Sequence, residues 1–548
     1  MTDESVSTAH WRDVGSGLCV AGLLLPEAVA YAGLAHLPVG HALTALVVGL
    51  AIYALFGSSR FAIVSPTSST AALLAAAVVS MTGGFSGTTA SAYAQTAMAL
   101  TLLSGVLLVL LAFARQGQLS SFISRPVLKG FAFALAVTIV IKQLPDALGF
   151  ELPHEVRSDP LHVFVYVASH AQVWHVPSIA ISLIAAGLIV VLRRWPQVPA
   201  SMLVIAVAIT AAMWFDMPSL GVREVGAVTT PSFQPGFPDL PLTDWFRAGE
   251  LAFGLVMLVF AESWGSMRSM ALVHGDPLDA NRELMVLGAC NVGAALLQGM
   301  PVGAGFSATS ANSAAGAVSK KSGTVALLAI VLAIVFALPL FGHLPRPVLA
   351  VAVINALWHA LSPQPMLSIW RMNRDRASLV GAVLAVLMLG VLNGMLAAIG
   401  LSVLGALRRF SQPVVHELGK LGESRNYVDV NAHHGAIATP GLLILRAEEP
   451  LFFGSAERVM SVIMKSASTR DGLTTVILSL EESADLDSTA VDCLMELRQG
   501  LHRLGKTLVL ARVKTSVRDL LVNWDPQGLG ATEHMFWSVA DAADSASV

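Results

Sequence analysis

The stretch from Val14 to Leu34 carries a single charged side chain, Glu27, and apolar runs of similar length recur along most of the chain. A helix needs roughly 20 predominantly apolar residues to cross the hydrocarbon core of a bilayer. In lipid every backbone N–H and C=O must be bonded internally, so such runs form helices packed on one another. Composition agrees, because the 548 residues are 55% hydrophobic and 13% charged, with a mean hydropathy of +0.69. Soluble domains carry about a quarter charged residues. The net charge of −3 argues neither for nor against nucleic acid, and no nucleic-acid partner is expected of a chain of this class. Cys19, Cys290 and Cys493 lie far apart, which excludes a disulfide framework and offers no metal-ligand spacing. The polar, acidic start lacks a basic n-region, so the first apolar run is expected to remain as a span.

Candidate spans begin near Val14, His41, Pro66, Ala92, Pro126, Val173 and Pro199. After a polar, Pro-rich stretch from Asp216 to Asp244, a second group begins near Leu251, Leu284, Phe306, Thr324, Pro347, Ser378 and Gly394. With both termini cytoplasmic, the inside loops hold Arg60, Arg125, Arg268, Arg282, Lys320 and Lys321. The outside loops hold far fewer basic residues, as the positive-inside rule requires. Seven spans per half turn the second half upside down relative to the first, the inverted-repeat design of many secondary transporters. The residues support that symmetry. The first span of each half holds one acid, in Leu25-Pro26-Glu27 and Phe260-Ala261-Glu262. The third span of each half opens on a polar pattern, Ser65-Pro66-Thr67-Ser68 and Ser307-Ala308-Thr309-Ser310.

The fold class expected is therefore an all-α polytopic membrane domain over residues 1–409, of about fourteen spans. A polar connector over 410–439 and a C-terminal α/β domain over 440–548 follow it. In the last region strand-like runs at 442–445, 475–478 and 507–510 alternate with helical patterns at 456–467, 489–504 and 515–523. That alternation predicts a mostly parallel sheet faced by helices.

Glu27 lies near the middle of its span. A carboxylate there costs a few kcal/mol on insertion scales, so an acid at this depth reads as functional, and desolvation favours its protonated form. The reading is proton coupling. The alternative is a structural acid bonded to a helix end or a neighbouring hydroxyl. Glu262 carries the same two readings, and with Ser266 one turn on it also suits a bound cation such as sodium. Pro66 and the Gly303-Ala304-Gly305 run suit helices that begin inside the membrane and point unpaired N–H groups at the midplane. Ser65, Thr67 and Ser68 on one such helix, with Ser307, Ala308 and Thr309 on the other, make an anion cradle without a basic side chain. The alternative is hydroxyls that ease helix packing. No nucleophile–base set, metal spacing or phosphate loop is visible, so neither an enzyme nor a bound cofactor is expected.

Taken in order, these residues resemble the sulfate permease (SulP) family over nearly the whole chain. Pro26-Glu27-Ala28-Val29-Ala30-Tyr31-Ala32 is similar to the signature of the family's first span. Gly57-Ser58-Ser59-Arg60 with Ser65-Pro66-Thr67 is similar to its second-to-third connection. Asn281-Arg282-Glu283-Leu284 through Asn291 and Pro301 to Asn312 resemble the stretch into its tenth span. Gly441 to Gly454 and Leu510 to Arg518 resemble its STAS tail. The resemblance implies a core of spans 1–4 and 8–11 moving against a gate of spans 5–7 and 12–14, in a homodimer. It also implies a small anion as substrate (sulfate, bicarbonate, chloride or a dicarboxylate) and residence in a bacterial inner membrane. Two residues depart from the usual pattern. Glu27 replaces a common Gln, as in proton-coupled bacterial members, and Ala308 replaces a common Arg, which argues against firm holding of a doubly charged anion.

Charge then favours a mechanism. An ionised carboxylate roughly 8 Å from a monovalent anion repels it by about 2 kcal/mol at an effective dielectric near 20. Protonating Glu27 removes that repulsion, so proton and anion favour one another's binding. The same count admits a neutral or cationic substrate. An uncoupled exchanger or channel, and a non-transporting sensor acting through the STAS tail on a cytoplasmic partner, are the competing functions. That tail resembles bacterial anti-sigma antagonists, in which a serine near the position of Ser488 is phosphorylated, so Ser488 is a candidate regulatory residue. The alternative is a helix cap by Asp487 or Ser488.

Overall fold

The computed structural model describes residues 3–82, 89–117, 124–153, 160–192, 194, 200–226, 228–231, 233–358, 361–373, 375–411 and 414–546. It divides into two compact units, Met1–Ser402 and Val403–Val548.

The first unit is built of α1 (Asp3–Leu34), α2 (Val39–Phe56), α3 (Ser68–Thr82), α4 (Ala90–Phe113) and α5 (Arg125–Leu148). The chain continues through α6 (Pro160–Ser169), α7 (Val176–Leu192), α8 (Ala200–Trp214), α9 (Leu242–His274) and α10 (Ala280–Leu296). The remaining helices are α11 (Phe306–Ala314), α12 (Lys321–Ala337), α13 (Arg346–Ala356), α14 (Gln364–Met372) and α15 (Arg376–Phe410), the last running on into the second unit. Each expected span start lies inside one of these helices or within three residues of its beginning, except Pro199, which falls outside the described residues. By length and composition, α1, α2, α4, α5, α9 and α12 with its 3-10 extension suffice to cross a membrane. The rest of the apolar helices are shorter. Gly390, at φ 80° and ψ 176°, breaks α15 into two apolar segments, Arg376–Val391 and Asn393–Arg408.

Two helices fall where only loops were expected. α6 buries Val163 and Val167 against Phe150, a small cluster apart from the main core. α14 is amphipathic, keeps Ile369 inward and stops at Asn373, whose φ of 53° is left-handed. Both lack the length of a span.

Two short strands lie among the helices. β1 (Val64–Ser65) and β2 (Gly303–Ala304) pair antiparallel, Val64 opposite Ala304 and Ser65 opposite Gly303. β1 leads into α3 and β2 into α11, so the pairing sets the starts of two short helices side by side. Glycine permits the approach. A Cβ on Gly303 would stand 3.0 Å from Ser263 Oγ, and one on Gly305 would stand 3.1 Å from Thr67 Cγ2.

The second unit is a sheet in the order β4-β3-β6-β7-β8-β9, with β5 against β3. Its strands are β3 (Val415–Leu421), β4 (Tyr427–Asp429), β5 (Ala436–Ile437), β6 (Leu442–Ala447), β7 (Thr475–Ser479), β8 (Thr507–Ala511) and β9 (Met535–Phe536). From β6 to β9 the pairing is parallel, as the alternation of strands and helices predicts. α16 (Ala456–Ser468), α17 (Ser488–Arg503) and α18 (Thr515–Trp524) cover one face, and α19 (Val539–Ala546) the other. The stretch 410–439, expected as a polar connector, instead carries β3, β4 and β5. β3 adds antiparallel to β6 and buries only Leu418 and Gly419. A half-exposed strand near the edge of the sheet needs few apolar residues, so its sequence reads as a linker.

Candidate functional site

The two strand-to-helix openings are tied together by bonds that cross between the halves of the unit. Ser307 Oγ, at the start of α11, donates to Glu27 Oε1 on α1 over 3.4 Å. Thr67 Oγ1, just before α3, donates to Glu262 Oε2 on α9 over 3.5 Å. Each acid therefore holds the hydroxyl at the opposite half's opening. Glu27 is 7% exposed, whereas Glu262 is only half buried.

Beneath the openings the same crossing continues. Thr70 Oγ1 donates to Pro301 O over 3.3 Å, and Ile63 N–H donates to Thr309 Oγ1 over 3.4 Å. Asn312 Nδ2 donates to Phe61 O over 3.0 Å. On α10, Asn291 clamps the end of the loop before β2, accepting from Val302 N and donating to Val302 O, each at 3.0 Å.

These contacts sort the sequence candidates. Thr67, Ser68, Ser307, Glu27 and Glu262 gather around the openings. Ser307 is exposed there, beside exposed Phe306 and Ser310. Ser65 lies buried within β1 opposite Gly303. Thr309 turns into the scaffold toward Ile63, and Ala308 is 3% exposed, with Ser307 rather than Ala308 on the open face of α11. Ser266, buried one turn beyond Glu262, donates to Gly305 O over 3.4 Å. Glu262, Ser266 and Gly305 O thus place three oxygens in one neighbourhood. Among the described residues no group of three His, Cys, Asp or Glu side chains is arranged to hold a metal.

Sequence reasoning missed Ser263, whose Oγ accepts Ala304 N–H at 2.9 Å, and Thr70, which ties α3 to the loop before β2. A lone hydroxyl on an apolar helix gives no signal by itself, since serine and threonine commonly bond their own helix. Asn291 was missed as well, although an amide inside an apolar run must find partners and so gives a signal.

Chemically, the arrangement offers two helix N-termini whose dipoles favour negative charge, with Thr67 and Thr70 capping one another's N–H at the start of α3. Hydroxyl donors stand beside them, together with two carboxyls that favour occupation by an anion only when neutral. Among the described residues neither carboxyl is paired with a lysine, arginine or histidine.

In the second unit Asp487 is the N-cap of α17. Its carboxylate accepts Ala490 N–H at 2.8 Å and Phe453 N–H at 2.7 Å. Ser488 is exposed on the first turn and is not the cap.

Residues 11–379 match the sulfate permease family and residues 434–542 the STAS domain. A probable sulfate transporter of Mycobacterium tuberculosis is 32% identical over 515 residues, 93% of this chain and 90% of its own length. Human sulfate anion transporter 1 is 26% identical, with 97% of this chain and 88% of that one covered. Among solved structures, the murine solute carrier 26 family member A9 anion transporter in its inward-facing state aligns with a TM-score of 0.88 at 19% identity. That alignment covers 98% of this chain and 91% of that one. The transmembrane domain of a cyanobacterium bicarbonate transporter aligns with a TM-score of 0.60 at 20% identity, over 71% of this chain and 97% of its own. At these identities the structural matches speak to fold.

Proposed function

Because this chain belongs to the sulfate permease family of anion transporters, we propose that it carries a small anion by proton-coupled symport. The anion sits between the starts of α3 and α11, and Glu27 is the coupling acid. The observation that carries this reading is the crossed pairing of Glu27 with Ser307 and of Glu262 with Thr67, without a basic side chain paired to either acid among the described residues. Two helix ends supply about half a positive charge each. Ionised carboxyls cancel that field and protonated ones leave it intact. Proton and anion therefore enter together, and by reciprocity each raises the affinity for the other.

The limited positive charge favours a monovalent anion such as bicarbonate over a divalent one such as sulfate. Family names point to sulfate, so both belong in the test. If sodium rather than the proton is the coupling ion, the oxygens of Glu262, Ser266 and Gly305 are where it binds. The protein acts as a homodimer in a bacterial inner membrane, with both termini cytoplasmic and the STAS domain free to meet a partner there.

The test is tracer uptake into proteoliposomes with sulfate, bicarbonate and succinate, with and without an inward proton gradient and with sodium varied separately. Uptake of one anion above equilibrium when the proton gradient is imposed supports symport. Uptake indifferent to both cations favours an uncoupled exchanger. No uptake of any of the three would leave the sensor reading in its place.

A further inference from the structure

Each opening hangs from a connector, Gly57 to Ile63 ahead of β1 and Leu297 to Val302 ahead of β2. These connectors are neither helix nor extended sheet, so something else must fix their course. At the first, the fixture is a fully buried acid that the coupling mechanism does not use. Glu283, on the first turn of α10, is 0% exposed. Its Oε2 accepts Tyr53 Oη at 3.0 Å, and its Oε1 accepts Ser58 N–H at 3.1 Å together with Ser58 Oγ. Tyr53 Oη in turn accepts Ser59 N–H at 3.3 Å, and Ser59 Oγ accepts the N–H groups of Phe61 and Ala62 at 3.4 and 3.3 Å. The next donor along, Ile63 N–H, reaches Thr309 on α11.

The line from Glu283 to the start of α11 is thus unbroken. Outer contacts close around it. Arg60 forks onto Asp276, with its Nε 2.8 Å from Oδ2, and Lys320 Nζ donates to Gly57 O at 2.7 Å. The second connector is held in the corresponding way. His41, on the first turn of α2, bonds Gln298 O through Nδ1. In both cases the helix just before one opening grips the connector of the other.

We infer that Glu283 is a positioning residue for the anion site, holding the Gly57–Ile63 connector so that Thr67 and the start of α3 stay aligned with α11. A purely structural acid would contribute to folding and leave the folded site unchanged. A positioning acid sets how well the site is formed before the anion arrives, and therefore acts on affinity more than on turnover. The inference rests on the reading of the two openings as the anion site.

Two measurements on the full-length protein separate these possibilities. Glu283→Gln replaces one acceptor oxygen by a donor facing Ser58 or Tyr53, while Ser58→Ala and Tyr53→Phe each remove one donor more gently. Amide exchange followed by mass spectrometry is read over residues 57–70, and KM and maximal rate per folded molecule are read with sulfate, bicarbonate and succinate. For Glu283→Gln we expect exchange to rise across 61–70 as well as 57–60. KM is expected to rise several-fold to about tenfold, with the maximal rate within about twofold of wild type. The milder variants follow in the same direction. Should Glu283→Gln fail to fold, Ser58→Ala and Tyr53→Phe decide the matter. The inference is overturned if exchange rises only at 57–60, or if KM is unchanged while activity falls only with the folded fraction. If wild type transports none of the three anions, the reading of the site as an anion site falls, and exchange alone decides whether Glu283 positions the opening.

Discussion

Glu27→Gln isolates the coupling step with little disturbance of shape. The amide retains an oxygen to accept from Ser307, which now does so across 3.4 Å. A neutral group at a site 7% exposed costs less than a carboxylate, so the variant is expected to fold as wild type does. The openings are joined by strand pairing, and the anion is taken to sit between them, roughly 8 Å from Glu27. At an effective dielectric near 20, an ionised Glu27 then weakens a monovalent anion by about 2 kcal/mol, or about thirtyfold in affinity. Wild-type affinity should fall by up to that factor as the pH is raised through the titration of Glu27, whereas the glutamine variant should be flat. One proton carried with one monovalent anion supports about tenfold accumulation per pH unit of gradient, and Glu27→Gln should reduce this to equilibration. Reconstituted uptake with an imposed gradient measures the accumulation, and equilibrium binding across pH measures the affinity. Accumulation by Glu27→Gln with unchanged pH dependence would refute the assignment and move the coupling role to Glu262.

Three further outcomes follow from the same contacts. Lys321→Cys should react with a membrane-impermeant maleimide only from the face that also exposes the C-terminus, and labelling from the opposite face would break the proposed topology. Gly305→Ala puts a methyl 3.1 Å from Thr67 Cγ2 and must displace that side chain by a few tenths of an ångström. A several-fold weaker anion affinity with an unchanged chromatographic profile is expected, and an unchanged affinity would remove Thr67 from the site. Asp487→Ala strips an acceptor from Ala490 and Phe453 and should destabilise α17 by about 1–2 kcal/mol, whereas Ser488→Ala should stay within about 0.5 kcal/mol, both read as amide exchange in α17 of the full chain.

Positions of the apolar helices other than α6 and α14 were legible because a long apolar run in lipid has few other folds open to it. The openings at Ser65-Pro66-Thr67 and Ser307-Ala308-Thr309 were legible for a related reason. Polar, helix-breaking residues in such a run need a protein partner, and the nearest candidate was the matching pattern in the other half. That Ser307 meets Glu27 and Thr67 meets Glu262, rather than each acid serving its own half, was not legible. The pairing depends on which way two antiparallel strands cross, and four strand residues carry no periodicity. Facing directions within α11 were hidden for the same reason. Over nine residues the sequence does not say whether Ser307, Ala308 or Thr309 looks toward the opening. The grip of Glu283 on Ser58 spans 225 positions and joins two segments whose polar residues each read as ordinary loop chemistry.

The crossed bonds also determine which parts of the molecule can move during transport. Separating the α3 opening from the α11 opening would break the strand pairing and three bonds made by the side chains of Thr70, Thr309 and Asn312. At about 1 kcal/mol for each net bond, the side chains alone oppose that separation by about 3 kcal/mol. A transport cycle that opens the site to one face and then the other should therefore carry both openings together and move them against the remaining helices. Val64 and Ala304 offer a direct test. They stand opposite one another with both side chains fully buried, and antiparallel neighbours have Cα separations of about 4.5–5.5 Å, within disulfide range. In a background without Cys19, Cys290 and Cys493, the pair Val64→Cys and Ala304→Cys should oxidise to a crosslink. Transport should continue at close to the rate of the reduced protein, since the bond locks only what already moves as one body. Transport that stops on oxidation and returns on reduction would show that the two openings must part in the cycle, and the rigid-core account would fail.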